Sequence, residues 1–174
     1  MNESRETQAT MTSAHHSGKY LTFFLNAGEF AVGILHVREI IAIQEITPLP
    51  RVPEYVRGVI NLRGKIIPVV DLRMRLNLDA REYDRATCII VMEIERPGGV
   101  TMNIGCVVDT VSEVIDLRSD QIQAPPSFGN GVRVDYILGM TKHEERVTTL
   151  IDIETVLTAI LESDDLAGVE MASA

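Results

Sequence analysis

From Tyr20 onward the chain is built of short apolar runs, rich in isoleucine and valine, which Gly, Pro or Asn interrupts every 8 to 12 residues. This pattern is typical of small β-barrels and sandwiches. It predicts an all-β chain with short helical turns and a C-terminal helix. The predicted strands are 19–25, 30–34, 40–46, 56–62, 65–70, 87–94, 101–107, 113–117, 134–141 and 146–151.

Turn-forming residues mark the connections between these strands. Asn26-Ala27-Gly28 and Pro97-Gly98-Gly99 predict hairpin turns, because glycine and asparagine tolerate a positive φ. Residues 48–53 and the pair Pro125-Pro126 predict extended crossing loops, since proline cannot donate a hydrogen bond to a β-ladder.

Helical periodicity is weak until the end of the chain. There Asp152 is placed to cap a helix whose apolar side chains recur at helical spacing, namely Ile153, Val156, Leu157, Ile160 and Leu161. Asp71 is expected to cap a shorter turn that holds Leu72 and Leu76.

Two segments of the chain repeat. Residues 55–72 align without a gap with residues 136–153, at an offset of 81. The shared positions are Tyr55, Gly58, Val69, Val70, Asp71 and Leu72, opposite Tyr136, Gly139, Leu150, Ile151, Asp152 and Ile153. A less secure match sets residues 32–35 against residues 104–107. The repeat predicts two barrels of one design.

A highly charged stretch at residues 78–85 indicates the boundary between the barrels. We therefore expect a disordered tail at 1–18, a first barrel at 19–84, a second barrel at 85–151, a helix at 152–162 and a flexible tail at 163–174. The pattern leaves open an exchange of strands between the barrels.

Composition narrows the functional classes. Sixteen Lys and Arg residues against 25 Asp and Glu give a net charge of -9, which argues against nucleic acid as the main partner. Cys88 and Cys106 lie in apolar runs and are expected to be buried, reduced thiols. With no apolar run long enough for a signal peptide or a membrane span, we expect a cytoplasmic protein without direct membrane insertion.

The residue types that carry catalysis are present without a convincing arrangement. His36 is most simply a surface or partly packed imidazole, and His143, beside Glu144 and Glu145, is most simply a solvated polar tip. Asp71 and Asp152 are better explained as helix caps than as a carboxylate pair. The His15-His16 pair lies in the predicted tail, where no neighbouring residue completes a metal shell. We expect no catalytic residue, no metal site and no cofactor.

The two repeated segments differ at one turn. Asn61-Leu62-Arg63-Gly64 predicts a tight turn with Gly64 in the left-handed conformation and with Leu62 and Arg63 held out at the tip, whereas Lys142-His143-Glu144-Glu145 lacks the glycine and is acidic. Arginine is suited to interfaces, because its planar guanidinium pairs with carboxylates. On these residues alone, Arg63 is either a solvated turn residue or part of a binding surface.

A longer stretch resembles a known family. Residues 57–72, read with Phe30-Ala31-Val32-Gly33-Ile34 and Val37-Arg38-Glu39-Ile40, are similar to CheW, the coupling protein family of bacterial chemotaxis. The specific part is the motif R-G-x-x-N-L-R-G followed by an apolar strand and Asp-Leu, and the likeness extends from about Tyr20 to Leu161. The resemblance implies two five-stranded SH3-like barrels packed side by side.

The same resemblance implies a function without catalysis. The family joins the cytoplasmic tip of transmembrane chemoreceptors to the regulatory domain of the histidine kinase CheA, and its receptor-binding surface would fall here on Val37, Glu39 and Arg63, with Gly58 as a backbone requirement near it. Two other readings remain: a barrel that binds a small ligand or peptide outside chemotaxis, and a hydrolase whose site is assembled from loops.

Overall fold

The structure is a computed structural model, and we describe residues 16–96, 98–125 and 135–162. Apart from residues 16–18, the predicted tails at 1–18 and 163–174 lie outside the described residues. So do Pro97 in the second predicted hairpin turn, Pro126 in the second proline loop and Val134 at the start of the ninth predicted strand.

Ten strands and two α-helices form the described chain. They are β1 (Gly18–Leu25), β2 (Gly28–Gly33), β3 (Val37–Ala42), β4 (Val56–Leu62), β5 (Lys65–Asp71), α1 (Leu72–Arg75), β6 (Cys88–Glu95), β7 (Thr101–Val108), β8 (Thr110–Leu117), β9 (Ile137–His143), β10 (Arg146–Ile151) and α2 (Ile153–Glu162). Short 3₁₀ turns cover Ile34–His36 and Ser119–Gln121. The predicted third strand, 40–46, begins and ends too late, because β3 starts at Val37 and stops pairing with β6 after Ala42. Ile43 and Ile46 nevertheless pack against the core of the inserted barrel.

The strands form two five-stranded sheets. One has the order β3-β6-β7-β5-β4, and we call it the inserted barrel; the other has the order β8-β1-β2-β10-β9, and we call it the terminal barrel. In the inserted barrel, an isolated bridge joins Thr47, which follows the outer strand β3, to Val59 on the other outer strand, β4. In the terminal barrel, a second bridge joins Gln123, which follows the outer strand β8, to Met140 on the other outer strand, β9. This confirms the predicted fold class of two SH3-like five-stranded barrels.

The two sheets do not follow the predicted units 19–84 and 85–151. The inserted barrel is continuous from β3 to β7, whereas the terminal barrel combines β1 and β2 with β8, β9 and β10. In each barrel one strand of the repeated hairpin pairs in parallel with a strand from the other half of the chain: β5 with β7, and β10 with β2. The boundary at residues 84 and 85 therefore does not separate the barrels.

The core has three parts. Ile60, Val69, Ile89, Val91 and Val107 are among the side chains that fill the inserted barrel. Tyr20, Ala31, Ile115, Leu117 and Leu150 are among those that fill the terminal barrel. The largest cluster joins the two barrels, and it includes Leu21, Phe23 and Leu25 of β1, Ile90, Met92 and Ile94 of β6, and Ile153, Val156 and Leu157 of α2. Because β1 and β6 bury both faces, their sequences are nearly continuous apolar runs.

Both repeated aspartates cap helices, as predicted. Asp71 Oδ1 accepts hydrogen bonds from the backbone N–H groups of Arg73 and Met74, and Asp152 Oδ1 accepts one from Thr155. The N–H groups of Asp71 and Asp152 donate to the carbonyls of Tyr55 and Tyr136, at 2.8 and 2.7 Å. The repeat is thus a shared strand-to-helix connection.

Both cysteines are free thiols, as predicted. Cys106 is buried and Cys88 is only half-buried, so the expectation of two buried thiols is met by Cys106 alone. Burial raises the pKa of the Cys106 thiol well above its usual value.

Candidate functional site

The turn between β4 and β5 holds Arg63 out from the inserted barrel. Arg63 and Gly64 have φ values of 52° and 83°, which is the two-residue turn that matches the twist of a hairpin. Asn61 Oδ1 accepts a hydrogen bond from the Gly64 N–H at 2.9 Å and fixes the turn. The Arg63 side chain is 74% exposed, whereas Leu62 packs back against the core of the inserted barrel and does not project with it.

Arg63 reaches across to β3. Its Nη2 atom lies 2.6 Å from Oε2 of Glu39, whose side chain is 25% exposed. The other carboxylate oxygen of Glu39 is buried and has no hydrogen-bond partner among the described residues. The structure therefore brings together two of the four predicted site residues, which are 24 positions apart in the sequence.

Val37 lies at the start of the same strand. It pairs with Met92, while Glu39 pairs with Val91, so that Arg38 is an extra residue in β3. Such a bulge redirects side chains locally. Val37 is half-buried against the core that joins the barrels, and it is the apolar neighbour of the Glu39–Arg63 pair along β3.

Gly58 contributes to the site only through the backbone. It is buried on β4 at φ 139°, and a β-carbon there would lie 2.0 Å from the Thr47 carbonyl oxygen. Thr47 is the residue that closes the barrel against Val59 by two backbone hydrogen bonds of 2.9 Å. The glycine permits the close approach of Thr47, in the segment that follows β3, to the backbone of β4.

Two exposed apolar residues escaped the sequence reasoning. Ile40 follows Glu39 on β3 and is 44% exposed, and Ile66 lies on β5 just after the turn and is 41% exposed. The apolar pattern of β3 and β5 did not reveal which face of each strand looks outward. We call Val37, Glu39, Ile40, Arg63 and Ile66 the first face.

The fold and the first face define a double SH3-like barrel protein with exposed apolar and charged residues on the inserted barrel. The family model described as "CheW-like domain" matches residues 19–161, and the chain belongs to this family.

Solved and curated relatives agree with this assignment. The chain is 35% identical over 151 residues to a chemotaxis protein CheW of Bacillus subtilis, covering 84% of this chain and 92% of that protein. It is 34% identical over 141 residues to one of Klebsiella aerogenes, covering 81% and 82%. The crystal structure of the scaffolding protein TtCheW from Thermoanaerobacter tengcongensis matches with a TM-score of 0.69 and 31% identity, over 80% of this chain and 92% of that chain.

Two further features bear on membrane insertion and metal binding. Within the described ranges no helix is long and apolar enough to cross a membrane. Glu113, His143 and Glu144 place ligand atoms within 4.8 Å of one another, although the two glutamates are exposed. Sequence reasoning treated His143 as a solvated tip, but its Nε2 atom lies 2.8 Å from Glu113 Oε1.

Proposed function

We propose that this chain binds the cytoplasmic tip of transmembrane chemoreceptors through its first face and joins it to the regulatory domain of the histidine kinase CheA. Membership of the CheW-like family makes the chain a chemotaxis coupling protein. The observation that carries the receptor assignment is the Glu39–Arg63 pair, and Ile40 on β3 and Ile66 on β5 add exposed apolar side chains on the same barrel. The protein would then act at the inner face of the membrane, without entering it.

The Glu39–Arg63 pair is suited to recognition rather than to stability. Exposed ion pairs contribute only about 0–1 kcal/mol to folding. Glu39 holds the Arg63 guanidinium in place, and most of the arginine's N–H donors still face solvent. A partner carboxylate can therefore bind the same guanidinium, while the exposed isoleucines supply apolar contact. Charges at such a rim set specificity and the rate of encounter.

The decisive variant is Arg63→Glu, with Arg85→Glu as a matched control at another exposed arginine. Arg85→Glu should change the free energy of unfolding by no more than about 0.5 kcal/mol, as is usual for surface positions, and Arg63→Glu by about 1 kcal/mol, since it breaks an exposed ion pair. Arg63→Glu should weaken binding of a receptor-tip fragment by at least about tenfold, because it sets like charges together. Undiminished binding by Arg63→Glu would remove Arg63 from the receptor site.

A charge swap separates recognition from the internal ion pair. The double variant Glu39→Arg with Arg63→Glu restores an ion pair of opposite direction. If the receptor contacts Arg63 directly, receptor binding remains lost in the double variant, although the ion pair between positions 39 and 63 is restored. Recovery of binding would show instead that only the pair's effect on local structure matters.

A core variant shows how receptor binding is lost when the protein unfolds. Val69 is fully buried in the inserted barrel, so Val69→Asp places an unpaired charge in the core. Its receptor binding and its cooperative unfolding transition should disappear together, unlike those of Arg63→Glu.

The coupling role is tested by a three-component assay with receptor fragment, CheA and this protein. Receptor-dependent kinase activity should require the chain and should be lost with Arg63→Glu. A barrel for a small ligand is less favoured, because apolar side chains of the protein itself fill both barrels. Such a protein would show a melting shift with a metabolite and would not respond to receptor fragments.

A further inference from the structure

The register of the strands reveals a counterpart of the first face in the terminal barrel. On β3, Val37 pairs with Met92 of β6, and β3 then has one more residue than β6 before the pairing resumes. On β8, Val111 pairs with Phe23 of β1, and β8 then likewise has one more residue than β1. Val111-Ser112-Glu113-Val114 thus occupies the place of Val37-Arg38-Glu39-Ile40. The Val-x-Glu element is duplicated along with the hairpin.

The hairpins complete the correspondence. Gly58 faces Val69 and Gly139 faces Leu150 in the two registers, so Arg63 corresponds to Glu144 and Ile66 to Val147. The second hairpin keeps the same turn without glycine, since Glu144 and Glu145 have φ values of 47° and 68°. We call Val111, Glu113, Val114, Glu144 and Val147 the second face.

The second face repeats the apolar part of the first. Six large hydrophobic side chains are exposed in the described ranges, and four of them form two corresponding pairs. These are Ile40 and Ile66 at 44% and 41%, and Val114 and Val147 at 52% and 57%. Exposed apolar residues that cluster with polar ones mark interaction sites. Their recurrence at equivalent positions indicates that the docking frame itself was duplicated.

The charges are reversed between the faces. Around the first face, Arg38, Arg63 and Lys65 outnumber Glu39 and Glu93; at the corresponding turn and strand, Glu113, Glu144 and Glu145 outnumber Lys142 and Arg146. Glu113 is held by His143 at 2.8 Å. Glu144 is 66% exposed and lies 3.6 Å from Arg146, so it remains available to a further cation.

We propose that the second face binds a protein segment that presents an aliphatic side chain beside an arginine or lysine. The proposal rests on the proposed function, since it assigns to the second face the mode of docking given there to the first. The aliphatic frame accepts the apolar side chain, and Glu144 replaces Arg63 as the charge that selects the partner.

Grafting tests whether the two frames are equivalent. In an Arg63→Glu background, Lys142→Asn, His143→Leu, Glu144→Arg and Glu145→Gly give the second turn the residues of the first. Binding of the receptor-tip fragment should recover by at least about tenfold, and Glu54→Arg, at an exposed glutamate elsewhere, should restore none. No recovery in a graft that unfolds like its parent would overturn the proposal.

A second experiment tests the native charge. The probe is a set of receptor-tip fragments in which exposed acidic residues are replaced by lysine one at a time. At least one should bind the wild-type chain, lose about tenfold or more in affinity with Glu144→Arg, and be unaffected by Arg63→Glu and Glu54→Arg. The affinity change caused by Glu144→Arg does not depend on Arg63. A negative result here can therefore be distinguished from a failure of the proposed receptor site.

Three results, from fragment binding or from a parallel measurement of self-association, would overturn the proposal. One is that no lysine-substituted fragment binds. Another is binding that requires added Zn²⁺ and disappears with chelator, which would assign Glu113, His143 and Glu144 to a metal. The third is concentration-dependent self-association that Glu144→Arg abolishes, which would assign the second face to another copy of the chain.

Discussion

The Nε atom of Arg73 lies 3.0 Å from Oδ1 of Asp109, and both side chains are buried, at 0% and 8% exposure. The contact is an ion pair rather than an aligned hydrogen bond, since neither atom has a hydrogen-bond partner among the described residues. Arg73 belongs to α1 of the inserted barrel, while Asp109 is the crossover residue between β7 and β8 and also accepts the Asn26 N–H at 2.7 Å. One buried pair thus ties together the two barrels.

Arg73→Met should lower the free energy of unfolding by about 3–5 kcal/mol, because it removes the buried cation between Asp71 and Asp109 and leaves Asp109 with only the half-exposed Arg81 at 3.6 Å. Urea denaturation measures this. The double variant Arg73→Met with Asp109→Asn should recover much of the loss, since it removes the stranded charge as well. A loss below about 1 kcal/mol in the single variant would show that the pair is not a structural tie.

Two glycines with positive φ should differ in their tolerance of alanine. At Gly58 the new β-carbon would meet the Thr47 carbonyl oxygen at 2.0 Å, whereas at Gly64 it would meet nothing within 4 Å. Gly64→Ala should therefore lower the free energy of unfolding by only the left-handed conformational penalty of about 1–2 kcal/mol. Gly58→Ala should lower it clearly further and should open the barrel at the Thr47–Val59 bridge. Equal losses in thermal or urea unfolding would refute the close-approach explanation.

The glycine-free turn of the terminal barrel carries strain that a substitution can relieve. Glu145 has φ 68°, a conformation that costs a residue other than glycine about 1–2 kcal/mol. Glu145→Gly should raise the midpoint of urea unfolding, and the reciprocal change Gly64→Glu at the corresponding position should lower it. If both changes lower stability, the contacts of the Glu145 side chain contribute more to stability than the left-handed backbone conformation costs.

The pKa of Tyr83 should lie well above the ordinary tyrosine value. Burial, followed by the charge and hydrogen bond of Asp71, raises its pKa to about 12, and its hydroxyl donates to Asp71 Oδ2 at 2.9 Å. A raised pKa in the folded state contributes stability that is complete below pH 10 and is lost as the pH rises toward 12. Absorbance titration of the four tyrosines should show a late step that Tyr83→Phe removes. A wild-type titration that ends near pH 10 would contradict this.

Local signals predicted the elements well because they depend on neighbours in the sequence. The cap at Asp71, the left-handed Gly64 and the hairpin at Asn26 all follow from side-chain chemistry within a few residues. The composition of each barrel could not be predicted in the same way. A strand such as β2 has the same alternation whether its partner is β10 or β5, and only long-range pairing decides between them.

The second face shows how a repeat can be missed. Residues 32–35 match residues 104–107 by eye, but the pairing of Ala31 with Leu150 and of Gly105 with Val69 shows that Ala31 is the counterpart of Gly105. The visible match is shifted by two residues, which in a strand keeps every side chain on its own face. With that shift, Val111 and Glu113 were not recognised as a second Val-x-Glu element.

The exchange of strands also determines when each barrel can be completed on the ribosome. The inserted barrel is one continuous stretch from β3 to β7, so its last strand emerges before β8 has been made. β1 and β2 are synthesised first, yet their partners β8 and β10 are synthesised last. The β1–β2 hairpin must therefore wait, with Phe23 and Leu21 lacking their β8 partners Val111 and Val114, until β8 is made and closes over it.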